Sequence, residues 1–417
     1  MEHNELAETG ITWTPLASKH WDIKKGKFVF RSVKEINSRM QCKDRLALTL
    51  HGVIDRSEGD RIGLNPNDLR TYQIFQYDEL VFKLLDLDNK KTSRVGYVHK
   101  KGIMSSAYIR VLNNPKMNMR YFYYQYFDLY QRFVFNNIGQ GVRATMSSSD
   151  LLNMTILVPP LETQNAIVEY LDRKTKQIQE FISKKERLID LLEEQRREFI
   201  DQQFNDLSKY ETLRKPLKYL VNFISEQTNK IKESETYLAL ENIESWTGKI
   251  DTIIGSGEFD SSVKQFKKTD ILFNKLRPYL AKVVIPDFDG VCVGELLVLR
   301  PTKETLKEFL HYKLISRRFI DLVDSSTFGS KMPRASWNFI GKVEIEYPID
   351  YKNQSLIVSI IKTKELQLKS LARLYKSEIK KIKEYQESLI TNIVTGKLKV
   401  PANTVSNPEF VKKEGEI

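Results

Sequence analysis

A sequence that matches itself at a fixed offset folds as copies of one unit, and this chain of 417 residues does so at an offset of about 190. Lys24-Lys25-Gly26-Lys27-Phe28-Val29 lies over Lys215-Pro216-Leu217-Lys218-Tyr219-Leu220, and Leu46-Ala47-Leu48 over Leu238-Ala239-Leu240. Asp78-Glu79-Leu80-Val81-Phe82 lies over Thr269-Asp270-Ile271-Leu272-Phe273, Gly102-Ile103-Met104 over Gly290-Val291-Cys292, and Tyr121-Phe122-Tyr123-Tyr124 over Phe309-Leu310-His311-Tyr312. Then Arg143-Ala144-Thr145-Met146 meets Arg334-Ala335-Ser336-Trp337, and Gln164-Asn165-Ala166-Ile167-Val168 meets Gln354-Ser355-Leu356-Ile357-Val358. The order of the matches never changes, so a tandem duplication is expected.

Each copy has the same two parts. The first mixes short β-branched and aromatic runs with Gly, Pro and Asn, the pattern of an α+β domain. The second runs from Glu162 to about Asn205, and again from Asn353 to about Val394, with no Gly or Pro, and each run predicts one long helix. The expected boundaries are 1–158 and 208–348 for two globular recognition domains, 159–207 and 349–400 for two long spacer helices, and 401–417 for a flexible tail.

The helices carry a coiled-coil seam. Leu171, Ile178, Ile182, Ile189, Leu192 and Phe199 fall on one face of the first, interrupted by Thr175, Lys185 and Arg196. Ile361, Leu368, Leu371, Tyr375, Ile382 and Leu389 do so on the second. Residues 162–206 carry 8 basic and 11 acidic side chains, residues 353–399 carry 10 and 4, and opposite signs favour the two helices as each other's partners. Duplication then implies an antiparallel coiled coil between the heads of a dumbbell with pseudo-two-fold symmetry. A rod of that length spans roughly 60 Å, one to two turns of B-DNA.

The formal charge of +12 sits mostly outside the helices and favours a polyanionic partner, nucleic acid before a membrane surface. No apolar run is long enough to cross a membrane, and the first residues do not resemble a signal peptide, so a cytoplasmic protein is expected. Two cysteines, Cys42 and Cys292, and five scattered histidines exclude a disulfide framework and make a zinc site improbable. No phosphate-binding G-x-x-x-x-G-K-[ST] loop occurs. Gly255-Ser256-Gly257 lacks the third glycine of a dinucleotide motif. Val158-Pro159-Pro160-Leu161 lacks the flanking Asp or Asn and aromatic residue of an adenine-amino methyltransferase. Asp86 and Asp88 near Lys90 could imitate a nuclease metal site, although charge-rich turns do so by chance.

DNA-binding candidates are therefore sought where basic residues interleave with aromatics, because Lys mostly contacts phosphate whereas Arg can also grip guanine edges. These are Lys83 and Arg94 in the first copy, and Lys275, Arg277, Tyr279 and Lys282 in the second. A glycine-punctuated loop in each copy adds Arg143, beside Gly139 and Gly141, and Lys331 with Arg334, beside Gly329.

Several phrases then carry a family likeness: Gly10-Ile11, Trp13, Pro15 and Trp21, helix starts reading Pro159-Pro160-Leu161-Glu162-Thr163-Gln164 and Gln354-Ser355-Leu356-Ile357, and a final Leu389-Ile390-Thr391-Asn392-Ile393-Val394-Thr395-Gly396-Lys397. With the tandem architecture, they resemble the specificity (S) subunit of type I restriction-modification systems. Thr163 and Asn353 stand where the family commonly has an acidic residue before the glutamine. The resemblance implies a non-catalytic chain whose two target recognition domains read the halves of a split, asymmetric double-stranded DNA sequence. Its helices would act as a ruler and as the dock for two methyltransferase subunits that modify adenine. No cofactor is expected on this chain. S-adenosylmethionine, ATP and Mg are expected on partner subunits, including a restriction and translocase subunit. Three alternatives stand beside this reading: a related system with methylation and cleavage fused in one partner, a coiled-coil scaffold for proteins, and a nuclease with an unrecognised acidic site.

Overall fold

A computed structural model describes residues 5–57, 68–88, 92–139, 144–205, 207–225, 227–228, 236–251 and 263–401. The chain forms two compact units, Met1–Lys184 with Glu378–Ile417, and Lys185–Ser377. The division passes through both long helices, Leu161–Asn205 and Tyr351–Val394, whereas the sequence suggests boundaries at the helix ends. The reason lies in the cores. In the first unit Ile167, Val168, Tyr170 and Leu171 share one apolar cluster with Leu389, Ile390, Ile393 and Val394, so the start of one helix and the end of the other belong to that globular core. In the second unit Ile200 and Phe204 are joined to Ile357, Val358 and Ile361 in the same way.

The strands repeat as the offset implies. In the first unit Glu79–Phe82 lies between Ile109–Val111 and Val95–Val98 in an antiparallel sheet. In the second, Ile271–Asn274 lies between Leu296–Pro301 and Val283–Val284, also antiparallel, and Val221–Ile224 extends the sheet. A second sheet in each holds a parallel pair, Arg45–Thr49 with Gly102–Met104 and Thr236–Leu238 with Gly290–Cys292. A short antiparallel ribbon then leads to each long helix, Asp22–Lys25 with Thr155–Val158 and Thr212–Pro216 with Glu344–Pro348.

Buried polar groups match as closely as the strands. Arg110 forks onto Glu79 at 2.7 Å through both nitrogens, and Arg300 onto Asp270 at 2.7 and 2.8 Å. Each carboxylate also accepts a backbone N–H from three residues upstream, Gln76 or Lys267. Paired and hydrogen-bonded in this way, a buried charge is tolerated where a lone one would not be. The two helix-start glutamines are buried, and each closes the same clamp. Gln164 accepts from the Asn118 N–H at 2.8 Å and donates to the Pro159 carbonyl at 2.8 Å. Gln354 accepts from Leu306 at 2.8 Å and donates to Pro348 at 2.8 Å. Asn118 and Leu306 are the N-caps of the helices Met119–Gln131 and Lys307–Ile315, so one side chain ties a globular helix to the start of a long one. From those helices Tyr124 and Tyr312 donate their hydroxyls to Asp172 and Glu365 on the long helices.

One register needs correction. Ser147 and Ser336 are both N-caps, of Ser148–Asn153 and Trp337–Ile340, so Thr145, not Arg143, is the counterpart of Arg334. The two matched arginines are offset by two residues.

Within the second unit the long helices run antiparallel. Lys185 lies over the Tyr375 ring, Arg196 pairs with Glu365 at 2.9 Å, and Lys364 lies over Phe199. Two of the polar interruptions of the seam are thus cross-helix partners. Thr175, the third, bonds back to the Leu171 carbonyl. Leu171, Ile178, Ile182, Ile361, Leu368 and Leu389 are buried, while Ile189, Leu192, Phe199, Tyr375 and Ile382 are half-buried. Leu371 departs from expectation at 41% exposure. The seam continues through Ala372 and buried Ile379, seven residues apart, and Leu371 is rotated one residue, about 100°, away from it.

The second long helix stops at Gly396, whose φ of +68° is open to glycine and costly for other residues. A Cβ there would also meet the Trp21 ring at 2.8 Å, and the Tyr121 hydroxyl donates to the Val394 carbonyl at 3.1 Å.

Candidate nucleic-acid interface

In the second unit the two stretches singled out by charge are joined along their backbones. Strand Ile271–Asn274 ends in a turn held by Asn274, whose side chain donates to the Leu276 carbonyl and accepts from the Leu276 N–H. Leu276 then bridges to Arg334, the Arg277 N–H donates to the Pro333 carbonyl at 2.8 Å, and the Ala335 N–H donates to the Lys275 carbonyl at 2.9 Å. Phe328 and Arg334 bridge in turn, closing a hairpin whose five-residue loop passes through Gly329 at φ +93°. Lys275, Arg277, Tyr279, Lys331 and Arg334 are therefore brought into one neighbourhood.

Their charges are held differently. Glu295 takes Arg334 at 3.0 Å and Lys275 at 3.9 Å, which fixes the arginine and offsets the acid. Arg277 and Lys331 are exposed, and neither side chain has a hydrogen bond or ion pair among the described residues. Arg277 has a φ of +52°, a conformation uncommon for a non-glycine residue and concentrated at functional sites. Tyr279 is exposed beside it. Phe328, at 75% exposure, and Met332, at 46%, project from the hairpin; they are neighbours in sequence of Gly329 and Lys331, but a search for basic residues passes over apolar side chains.

Other candidates fall away from this surface. Lys282 donates to the Leu240 carbonyl at 2.7 Å, and burial pushes its ammonium below the usual lysine range. Arg94 is corrected outright: it is 1% exposed and donates to the Asp86 carbonyl at 2.8 Å and the Leu87 carbonyl at 3.1 Å, so its guanidinium braces a loop. Lys83 is half-buried, bonds Thr92 at 3.0 Å, and is also pushed down by burial, with Arg94 adding to the effect. Arg143 lies outside the described residues, as do Lys90, Gly255-Ser256-Gly257 and residues 402–417. The acid pair suggested as a nuclease imitation gives no cluster: among the described residues no group of three or more His, Cys, Asp and Glu is placed to hold a metal ion. Both cysteines are buried and outside any disulfide. Among the described residues no helix is long and apolar enough to cross a membrane.

Residues 71–191 and 222–384 match the family described as Type I restriction modification DNA specificity domain. The chain belongs to this family. The two matched stretches fall one on each copy of the duplication, so the repeat is a repeat of the specificity domain. Among curated proteins, the chain is 24% identical over 181 residues to the Type I restriction enzyme EcoDI specificity subunit of Escherichia coli, a match spanning 43% of this chain and 40% of that protein. Among solved structures, one described under complex assembly and conformational transition of the type I R-M system resembles it with a TM-score of 0.65 and 12% identity, over 92% of this chain and 99% of the other. That likeness is one of fold.

Proposed function

We propose that this chain is the non-catalytic, sequence-reading subunit of a type I restriction-modification complex. Each specificity domain reads one half of a split, asymmetric site in double-stranded DNA. The long helices dock two adenine methyltransferase subunits, and their length sets the number of base pairs between the half-sites. S-adenosylmethionine belongs to those partners, and ATP and Mg belong to a restriction and translocation subunit that joins them.

The observation that carries this reading is the pairing of one fold with one kind of surface. The duplicated domain keeps its buried Arg–carboxylate forks and glutamine clamps in both copies, and the second presents exposed Arg277, Lys331 and Tyr279 on a braced hairpin. Cations free of internal partners on a rigid support suit phosphates and base edges.

Purified with its methyltransferase partner, the chain is expected to bind its target tightly, with log affinity falling linearly as log salt rises, and far more weakly to unrelated duplex. Indifference to DNA would instead indicate a protein scaffold. Magnesium-dependent cleavage by the purified chain alone would assign it catalysis.

A further inference from the structure

Among the described residues of the second unit's cationic surface, Phe328 is the most exposed apolar side chain, and folding gives no reason for it. At 75% exposure it contributes little to the core, and it stands on a hairpin whose other prominent side chains are Met332 and Lys331. The hairpin is nevertheless rigidly backed. Phe328 and Arg334 exchange both backbone hydrogen bonds, at 3.1 and 3.0 Å, and the second strand is tied to residues 275–277 through Arg277 and Ala335. No carboxylate occurs between Phe328 and Arg334, and nearby Glu295 is already shared by Lys275 and Arg334.

Resting on the reading that this unit contacts duplex DNA, we propose that the hairpin is a wedge. Phe328, supported by Met332, enters between stacked base pairs at one step of the half-site held by the second unit. Lys331 and Arg277 take the phosphates on either side. Proteins that kink DNA combine such parts, an apolar side chain that unstacks a step and cations that hold the backbone around it. The energy of unstacking depends on the step, so the wedge would favour easily kinked pyrimidine–purine steps at a position where no base edge is hydrogen-bonded. An acidic protein surface with an apolar pocket would meet the same cations and ring, and assembly of Phe328→Ala with the methyltransferase separates it from DNA.

The test uses the assembled complex with its methyltransferase and a target duplex in which 2-aminopurine is moved step by step through the half-sites. With the unsubstituted chain, a fluorescence rise is expected at one step of the second unit's half-site that is separate from the adenines the methyltransferase itself flips out of the duplex. Phe328→Ala should abolish the rise and weaken binding by on the order of tenfold to a hundredfold, while Phe328→Trp retains both. Because the side chain is exposed, the melting temperature should not change. Unchanged binding and fluorescence in Phe328→Ala would overturn the wedge and leave the DNA-reading assignment intact. So would weaker binding with no fluorescent step in the unsubstituted complex other than the flipped adenines, which would make Phe328 a surface contact. Failure of Phe328→Ala to assemble with the methyltransferase would show the hairpin to be a protein dock. Absence of specific DNA binding by the unsubstituted complex would bring down the wider reading together with the wedge.

Discussion

Gln164 and Gln354 are the side chains on which each domain's attachment to its long helix depends most directly. Replacing either by Ala removes the acceptor of a half-buried backbone N–H and the donor to a buried Pro carbonyl. The expected loss is about 2–4 kcal/mol from the unit concerned, measured by urea denaturation, with Glu costing at least as much as Ala at neutral pH because its buried carboxylate keeps the acceptor but faces the Pro carbonyl without a proton to donate. Both glutamines are legible in the sequence, since they sit in aligned phrases at the helix starts. Arg94 was not legible, because whether an arginine faces solvent or three carbonyls depends on the path of residues 85–87, which no local pattern specifies. Lys313 offers a pH test. It lines a cavity of about 250 Å³ with Asp201, Arg214, Arg318, Glu344 and Glu346, and burial pushes its ammonium down to about 8 from the usual 10.5. Below pH 8 the amine is protonated both folded and unfolded, so the cost of burying its charge is present in full. Between pH 8 and 10.5 the folded protein gives up that proton first, and the cost disappears. Lys313→Met should therefore stabilise the second unit by about 1–2 kcal/mol at neutral pH, the gain fading towards pH 10.5 in denaturation curves taken across that range.

Among elements, the long helices separate what periodicity reveals from what it leaves open. Freedom from Gly and Pro located both within a few residues, and the spacing of Ile361, Leu368, Tyr375, Ile382 and Leu389 identified the main row of the seam. The second row was ambiguous, since leucines three and four residues apart both satisfy a helical stripe, and Leu371 was assigned where Ala372 belongs. The consequence is measurable. Leu368→Ala should cost about 2–4 kcal/mol through the cavity it opens, whereas Leu371→Ala should cost well under 1, both read from thermal melts of the full chain. Comparable losses at the two sites would place Leu371 in the seam. The two-residue offset between Arg143 and Arg334 has a similar origin: the sequence matches identical side chains, while the fold matches the serine N-caps that follow them. Phe328 and Met332 were missed for another reason, since exposure is a property of the folded hairpin and apolar residues in a sequence read first as core.

For the whole molecule, the duplication was the most legible feature, because order-preserving matches over this length are hard to obtain except by descent from one unit, and the strands, forks and clamps repeat at those positions. As proposed above, two related specificity domains in one chain address two halves of one DNA site. Methylation mapping of DNA from cells carrying this chain with its partner methyltransferase reads both halves at once. Modified adenines are expected within a split sequence of two unlike parts separated by a fixed unspecified gap, with Arg277→Ala relaxing or weakening recognition in one part alone. A single continuous motif, or modification that does not depend on this chain, would contradict it.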